Sequence, residues 1–303
     1  IGSELAQSFA RLGSADTQVE MAPRIMVRED PEVSELVAAS LRADGVNVLT
    51  GHQAVRVEVV PGAQGPEKRL IAKAGGAEVV IPFDELLCAV GRSPRVTGYG
   101  LEELGIPLTP RKTIETNAYL QTLYPNIYAV GDVAGPFQFT HTAAHQAWYA
   151  AVNALFGRFR RFKADYSVIP WATFTDPEVA RVGLSESEAQ EQGAAYEVTK
   201  YGIDDLDRAI ADGTAHGFVK VLTVPGKDRI LGVTIVGEHA GDLLAEYVLA
   251  MKHGLGLNKI LGTIHTYPTL AEANKYVAGE WKRSHAPQKL LQWVGRYHAW
   301  ERA

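Results

Sequence analysis

Cysteine is almost missing from this chain. Its 303 residues hold one, Cys88, which excludes an internal disulfide framework and any cysteine-built metal cluster; no metal site is expected. No run of 18 consecutive apolar residues occurs either, so no segment reads as a membrane-spanning helix. A basic excess is also lacking. The net charge is −5, from 30 Lys and Arg against 35 Asp and Glu, and no nucleic-acid partner is expected. The opening "IGSELAQSFARLGS" has no Met and no secretory pattern. It reads as the C-terminal part of a longer protein, cut inside a motif, with a cytoplasmic location expected.

The hydrophobic share of 46% is enough for more than one core. Leu5, Phe9 and Leu12 recur at i, i+4, i+7, which predicts an amphipathic helix behind Gly2. "ADTQVEM" then predicts a strand ending on Glu20. "DPEVSELVAASLRADGVNVLTG" predicts a helix and a strand, with Asp30 as N-cap, Pro31 at the first helical position, Glu32 in the first turn and Gly45 at the end. "AVRVEVV", "KRLIAKAG" and "EVVIPFDELLCAV" read as strands, the first two joined by the turn-rich "PGAQGPE". Cys88 falls inside the last of these and is expected to be a buried core residue.

A βαβ order with an acidic residue closing the second strand is the dinucleotide-binding pattern. Gly2 would stand where helix and strand pack closely. Glu20, 18 residues on, would bond the adenosine ribose hydroxyls, and its charge would repel a 2′-phosphate, favouring NADH over NADPH. Arg24 works against that preference, and an ordinary surface Glu at a strand end is the plainer alternative. Two later motifs carry more. "LLCAVGRSPRV" is an apolar strand expected to stop and turn at Gly91. "YPNIYAVGDVAG" is a buried strand in which Gly131 permits close backbone approach and Asp132 presents a carboxylate at the strand end. A helix is expected to start near Thr142, with free N–H groups to face a partly negative ring edge.

"AVGRSPR", "PNIYAVGDVAG", "PWATFTDPEVARVGLSESEA" and "HTYPTLAEA" together resemble the class I pyridine nucleotide–disulfide oxidoreductases, over residues 1 to about 280. The resemblance implies an α/β chain with a partial Rossmann-like NAD(P) domain over 1–90 and a partial FAD domain over 91–163. An α+β dimerisation domain over 164–280 follows, then a helical tail over 281–303. It implies FAD and NAD(P)H as cofactors and a homodimer as the assembly. Asp132 would bind the ribitol of FAD, and Thr142 and Ala143 would face the flavin pyrimidine edge. Glu4 would approach the flavin–nicotinamide contact through a lysine. The activity implied is hydride transfer from nicotinamide to flavin and on to a disulfide or other acceptor, such as a small molecule or a metal ion. Lacking the first glycines and a cysteine pair, the chain by itself is expected to be inactive. A non-catalytic dimerisation module that retains the fold is the alternative.

In the C-terminal region, "SESEAQEQG" is a capped helix from Ser185 to Gly193, "GFVKVLTVPGKDRILGVTIVG" a hairpin turning at 225–228, and "AGDLLAEYVLAMKHGL" a strongly apolar helix facing a subunit interface or its own domain. In "IHTYPTLAEANKY" a helix-like run starts at Pro268 and Glu272 follows Tyr267 by five positions. Family members that handle dithiols carry His where this chain has Tyr267. A phenol near pKa 10 is a poor base at neutral pH. Tyr here resembles the mercuric reductase and soluble transhydrogenase branches. Mercuric reductases, however, carry a cysteine pair near the C-terminus, which "LLQWVGRYHAWERA" lacks. Tyr267, Glu272 and His265 are the candidate catalytic residues, His265 either as a substitute base or as a structural hydrogen-bonding group. In the tail, Leu290, Trp293, Val294 and Tyr297 fall on one helix face. That face is expected to pack within the dimer rather than on a membrane, because one short helix gives marginal membrane affinity.

Overall fold

Helix start and stop signals place the first elements of the computed structural model, which describes residues 1–62 and 65–302. α1 (Gly2–Arg11) leads to β1 (Thr17–Glu20); α2 (Pro31–Ala43) returns the chain to β2 (Asn47–Thr50), parallel to β1. Asp30 is the N-cap of α2 and Pro31 its first residue; Gly45, with φ +93°, ends the turn beyond it. β3 (Gln53–Gly62), β4 (Gly65–Ala74) and β5 (Ala77–Phe83) form an antiparallel sheet in that order. The expected hairpin connection includes residues 63 and 64, which lie outside the described residues.

Two expectations fail here. β5 stops at Phe83, so the expected strand through Cys88 to Gly91 is irregular backbone and Cys88 is exposed. An apolar run becomes a strand only where a neighbour takes its N–H and C=O groups, and none does among the described residues. In α1 the buried residues are Ser3 and Gln7, while Phe9 and Leu12 are exposed. Gln7 is drawn inward by hydrogen bonds: Nε2 donates to Asp44 Oδ2 at 2.7 Å and to the Asp176 carbonyl at 2.9 Å, and Oε1 accepts from the Asp176 N–H at 2.8 Å.

The chain divides into two units, residues 1–89 with those from 170 onward, and residues 90–169. In the second, Leu101, Ile106, Ile114 and Ala129 form a small core, and α3 (Thr140–Phe156) is the long helix. "NIYAV" is not a regular strand; Tyr128 makes an isolated bridge to Gln121. α3 also starts two residues before Thr142.

Within the first unit, β6 (Pro170–Thr173), β7 (Glu178–Gly183), α4 (Glu186–Glu191), β8 (Glu197–Gly202), α5 (Asp207–Asp212), β9 (Phe218–Thr223) and β10 (Ile230–Gly237) are followed by four helices. These are α6 (Ala240–Lys252), α7 (Leu257–Leu261), α8 (Glu272–Ser284) and α9 (Gln288–Glu301). The strands form one antiparallel sheet ordered β6-β7-β10-β9-β8. α6 lies against β6, β7 and β10, and α8 against β8 and β9. Val33, Val37 and Leu41 of α2 pack with Val179, Phe218 and Val236 of the same sheet. α8 begins at Glu272 rather than at Pro268. No residue of α9 is buried, so Leu290, Trp293 and Tyr297 remain exposed in the single chain. Among the described residues, no helix is long and apolar enough to cross a membrane.

The sheet face toward α2 holds two cations. Arg181 and Lys220 pair in register with Thr234 from opposite sides, and each is 1% exposed. The Lys220 ammonium meets Asp30 at 2.6 Å, Glu32 at 2.6 Å and Glu186 at 2.8 Å. Arg181 meets Glu29 at 2.9 Å and Glu188 at 2.5 Å, and its guanidinium lies 4.3 Å from the Trp171 ring centre. Asp30 also accepts from the N–H groups of Glu186 and Ser187 at the start of α4. Burial alone would raise the Asp30 carboxyl pKa. The Lys220 ammonium and these amides outweigh it and hold the group at about 2.

Removing one partner of a buried pair costs about 3–5 kcal/mol. Lys220→Met should therefore lower unfolding stability in urea by that amount at pH 7. The stabilisation from Asp30 is complete above its unfolded pKa of about 3.9 and fades as pH falls through about 2. Asp30→Asn should be less stable at pH 7 and lose less stability than wild type between pH 4 and pH 2. An Asn variant with the wild-type acid profile would show that Asp30 does not carry this dependence.

Candidate functional site

Three groups of candidate residues have defined surroundings. The first is the turn Gly131–Val133, one 3₁₀ turn followed by Ala134 and Gly135. Gly131 has φ +74°, and a Cβ there would stand 3.2 Å from Ala143 Cβ, so the turn lies directly against α3. What holds it is Gln146, fully buried. Its Oε1 accepts from the Gly131 N–H at 2.5 Å; its Nε2 donates to the Gly135 carbonyl and to Tyr166 Oη, each at 2.7 Å. Asp132 keeps its carboxylate 40% exposed, 3.7 Å from Arg92. Thr142 is buried in the first turn of α3, its hydroxyl donating to the Phe139 carbonyl at 2.8 Å. Gly131, Asp132, Thr142 and Ala143 are thus brought together around one turn and one helix start. Gly91, with φ +140°, is exposed.

The second group surrounds the end of β1. Glu20 Oε1 accepts from the Ala22 N–H at 2.8 Å, which fixes the carboxylate at the strand end. Arg24 folds back on its own loop. It donates to the carbonyls of Glu29 at 2.7 Å and Val27 at 3.1 Å and to Ser34 Oγ at 2.7 Å. Those donors are committed to backbone and helix and do not point to a ligand. A Cβ on Gly2 would meet Ala89 Cβ at 3.4 Å, an ordinary van der Waals contact with irregular backbone rather than the close helix–strand packing expected of that glycine. Glu4 Oε1 accepts from the Phe174 N–H at 2.8 Å.

The third group is not assembled as spacing suggests. Tyr267 Oη donates to Asp207 Oδ2 at 2.9 Å, not to Glu272. Glu272 is buried, with Oε2 accepting from the Thr269 N–H at 3.2 Å and Oε1 from Tyr276 Oη at 3.3 Å. His265 Nε2 faces Glu246 at 3.1 Å, and Nδ1 faces the Thr263 carbonyl at 3.1 Å. Both ring nitrogens meet acceptors, so neither is directed to Tyr267. The Asp207 hydrogen bond is the chief cause that raises the Tyr267 phenol above its ordinary pKa, which leaves it protonated at neutral pH.

Gln146, Asp207 and Glu246 were not among the sequence candidates. Gln146 had a readable signal: with Thr142 and Asn153 it makes a polar row at helical spacing, and all three are buried. Asp207 and Glu246 lie 60 and 19 residues from their partners and have no local signal.

The family pattern described as "Pyridine nucleotide-disulphide oxidoreductase" matches residues 1–147, and its "dimerisation domain" matches residues 169–278. A dihydrolipoyl dehydrogenase of Thermus scotoductus is 39% identical over 272 residues, which cover 90% of this chain and 58% of that protein. A mercuric reductase of Lysinibacillus sphaericus is 36% identical over 278 residues, 92% of this chain and 50% of that protein. The structure of the HOCl-induced flavoprotein disulfide reductase RclA from Escherichia coli superposes with a TM-score of 0.79 at 26% identity, covering 91% of this chain and 62% of that one. The chain therefore spans between half and about three-fifths of the length of these relatives.

Replacing Gln146 by Leu leaves the Gly131 N–H, the Gly135 carbonyl and Tyr166 Oη without their buried partner. Each such group costs about 1–3 kcal/mol. Amide exchange at Gly131 should speed up by at least about tenfold in Gln146→Leu, since the turn would open locally. Exchange at the wild-type rate would mean that Gln146 does not hold the turn.

Proposed function

Since the chain belongs to the pyridine nucleotide–disulphide oxidoreductase family, we propose that the complete protein is an FAD-dependent NAD(P)H oxidoreductase that works as a homodimer. The observation that carries this reading is the Gly131–Asp132 turn. Gln146 pins it against the start of α3, and the Asp132 carboxylate is left partly open to solvent beside the first turn of that helix. That geometry suits a ligand with a polyol and a flat ring edge. Asp132 would hold a ribitol hydroxyl, and the first turn of α3 at Thr142 and Ala143 would face the pyrimidine edge. When bound, FAD supplies acceptance of a hydride and its onward release as electrons. Glu4, which accepts from the Phe174 N–H, fixes α1, the helix that would open the nicotinamide side. The dimerisation-domain match supports pairing of two chains. The remaining boundaries are kept as proposed: nicotinamide-binding residues to 90, flavin-binding residues 91–163, dimerisation residues 164–280 and a tail.

We also propose NADH as the preferred donor. Glu20, fixed at the end of β1 by the Ala22 N–H, would repel a 2′-phosphate, and Arg24, the nearby cation that could attract one, directs donors to its own loop and to Ser34 of α2. The electron acceptor is a disulfide, a metal ion or a small molecule. This chain's one cysteine supplies no disulfide pair, so a dithiol route would draw its cysteines from outside residues 1–303.

Asp132→Ala should weaken flavin binding by about 1.5–3 kcal/mol, the worth of a charged hydrogen bond, and the purified complete protein should lose yellow colour in proportion. Flavin content and affinity equal to wild type would remove Asp132 from the site. Glu20→Ala should raise kcat/KM for NADPH relative to NADH by about tenfold, a change of about 1.4 kcal/mol. A wild-type preference for NADPH would refute the donor assignment.

A further inference from the structure

The carboxylate that meets Tyr267 is Asp207, the first residue of α5. A carboxylate can only accept, and a phenol has one proton. With that proton on Asp207, the Tyr267 oxygen turns its lone pairs outward, and the side chain is 66% exposed. Tyr276 repeats the arrangement by donating to Glu272. The surrounding charge is of one sign. Burial, followed by the carboxylates of Asp205, Asp204 and Glu272 and the Tyr276 phenol, pushes the neighbouring Tyr201 phenol up to about 12. Arg208, next to Asp207, is taken by Asp212.

We propose that Asp207 is a positioning residue that makes Tyr267 a hydrogen-bond acceptor rather than a donor, and that this surface favours cationic or hydrogen-bond-donating electron acceptors over anionic ones. The inference rests on the oxidoreductase reading and adds the chemical class of the acceptor. It also accounts for a tyrosine rather than a histidine at position 267: an acceptor that takes electrons without a dithiol proton shuttle needs orientation and charge there, not a base.

The test uses two one-electron probes with the flavin-loaded complete protein, hexaammineruthenium(III) and ferricyanide. Each NADH oxidised gives NAD⁺, one proton and two reduced metal complexes. The kcat/KM ratio of cation to anion should fall about three- to tenfold in Asp207→Asn, which removes one charge at a few ångströms in water, and should fall in Tyr267→Phe, which keeps that charge but removes the oxygen that accepts from the ammine N–H groups. The double variant should fall by less than the two single losses combined, because the two act as a unit. Asp207→Glu should restore the ratio. An unchanged ratio in Asp207→Asn, or additive losses in the double variant, overturns the proposal.

A second measurement needs no turnover. Tyrosinate absorbance, taken as wild type minus Tyr267→Phe, reports Tyr267 with Asp207, Glu272 and Tyr276 as its charged neighbours. Its midpoint should move to lower pH in Asp207→Asn; a midpoint that stays put overturns the pairing. If the complete protein neither binds flavin nor oxidises NADH, the oxidoreductase reading fails, while this titration still decides the pairing.

Discussion

The placement of α2 and of the loop before it depends on two buried cations. Residues 21–30 contain no regular secondary structure, yet Glu29 and Asp30 are as buried as core residues. Carboxylates survive there only when paired, because desolvation alone would neutralise or expel them. Lys220 and Arg181 supply the pairing from the sheet, on either side of Thr234, with Val179, Phe218 and Val236 in the same core. The arrangement also has a direction. Asp30 is shared between Lys220 and the amides that open α4, so the end of the loop is tied to a strand and to a helix at once. α2 returns directly to β2, and β2 pairs with β1, so the position of Glu20 follows from where this loop is anchored. A buried charge cluster thereby sets where the end of β1 and its Glu20 stand.

A second constraint is carried by glutamines. Gln7 and Gln146 are nearly or fully buried, and each joins its helix to a turn that has no ladder to satisfy it. Gln7 pairs with both the N–H and the carbonyl of Asp176; Gln146 bridges the two ends of the Gly131–Gly135 turn. A side-chain amide donates and accepts in one plane from adjacent atoms, which suits it to close a backbone turn. The same residues explain why hydrophobic periodicity misled. In α1 it selected Leu5, Phe9 and Leu12 as the buried face, and the structure buries Ser3 and Gln7. In α3 the buried row is Thr142, Gln146, Ala150 and Asn153, while Trp148, Leu155 and Phe156 are exposed. Periodicity reports which face is apolar; it does not report that a polar face has been claimed by hydrogen bonds.

Where local chemistry decides, the sequence was readable. The Ser185–Glu188 capping box, the Pro31 start, the Gly45 stop and the 218–237 hairpin follow from interactions within a few residues, and all are present; Asp30 stands at the N-cap position, but its carboxylate goes to Lys220 and α4 and makes no cap hydrogen bond. The family and the mixed α/β class followed from motifs and agree with the comparisons. Where a distant partner decides, it was not. Residues 84–90 have the composition of a strand, but pairing is a property of two segments, and Cys88 ends up exposed. Neither Asp207 nor Glu246 could be found from spacing, since each reaches its partner across the fold.

The Tyr267 region shows why this difference matters for chemistry. Five positions separate Tyr267 from Glu272, and the interval suggests a pair only if a helix already runs through it. The helix begins at Glu272 itself, so the residues before it follow no helical spacing. Freed from Tyr267, Glu272 closes the start of α8 by accepting from Thr269 and holds Tyr276. His265 is likewise occupied, between Glu246 and a backbone carbonyl, and Asn274 donates to the same Glu246 at 2.9 Å. Each group that could have served as a proton shuttle is thus engaged in holding the loop in place. What remains available at its tip is a phenol oxygen whose own proton is already given away. On the proposed oxidoreductase reading, such a loop would orient an electron acceptor and set the charge it meets, and would leave proton transfer to other groups.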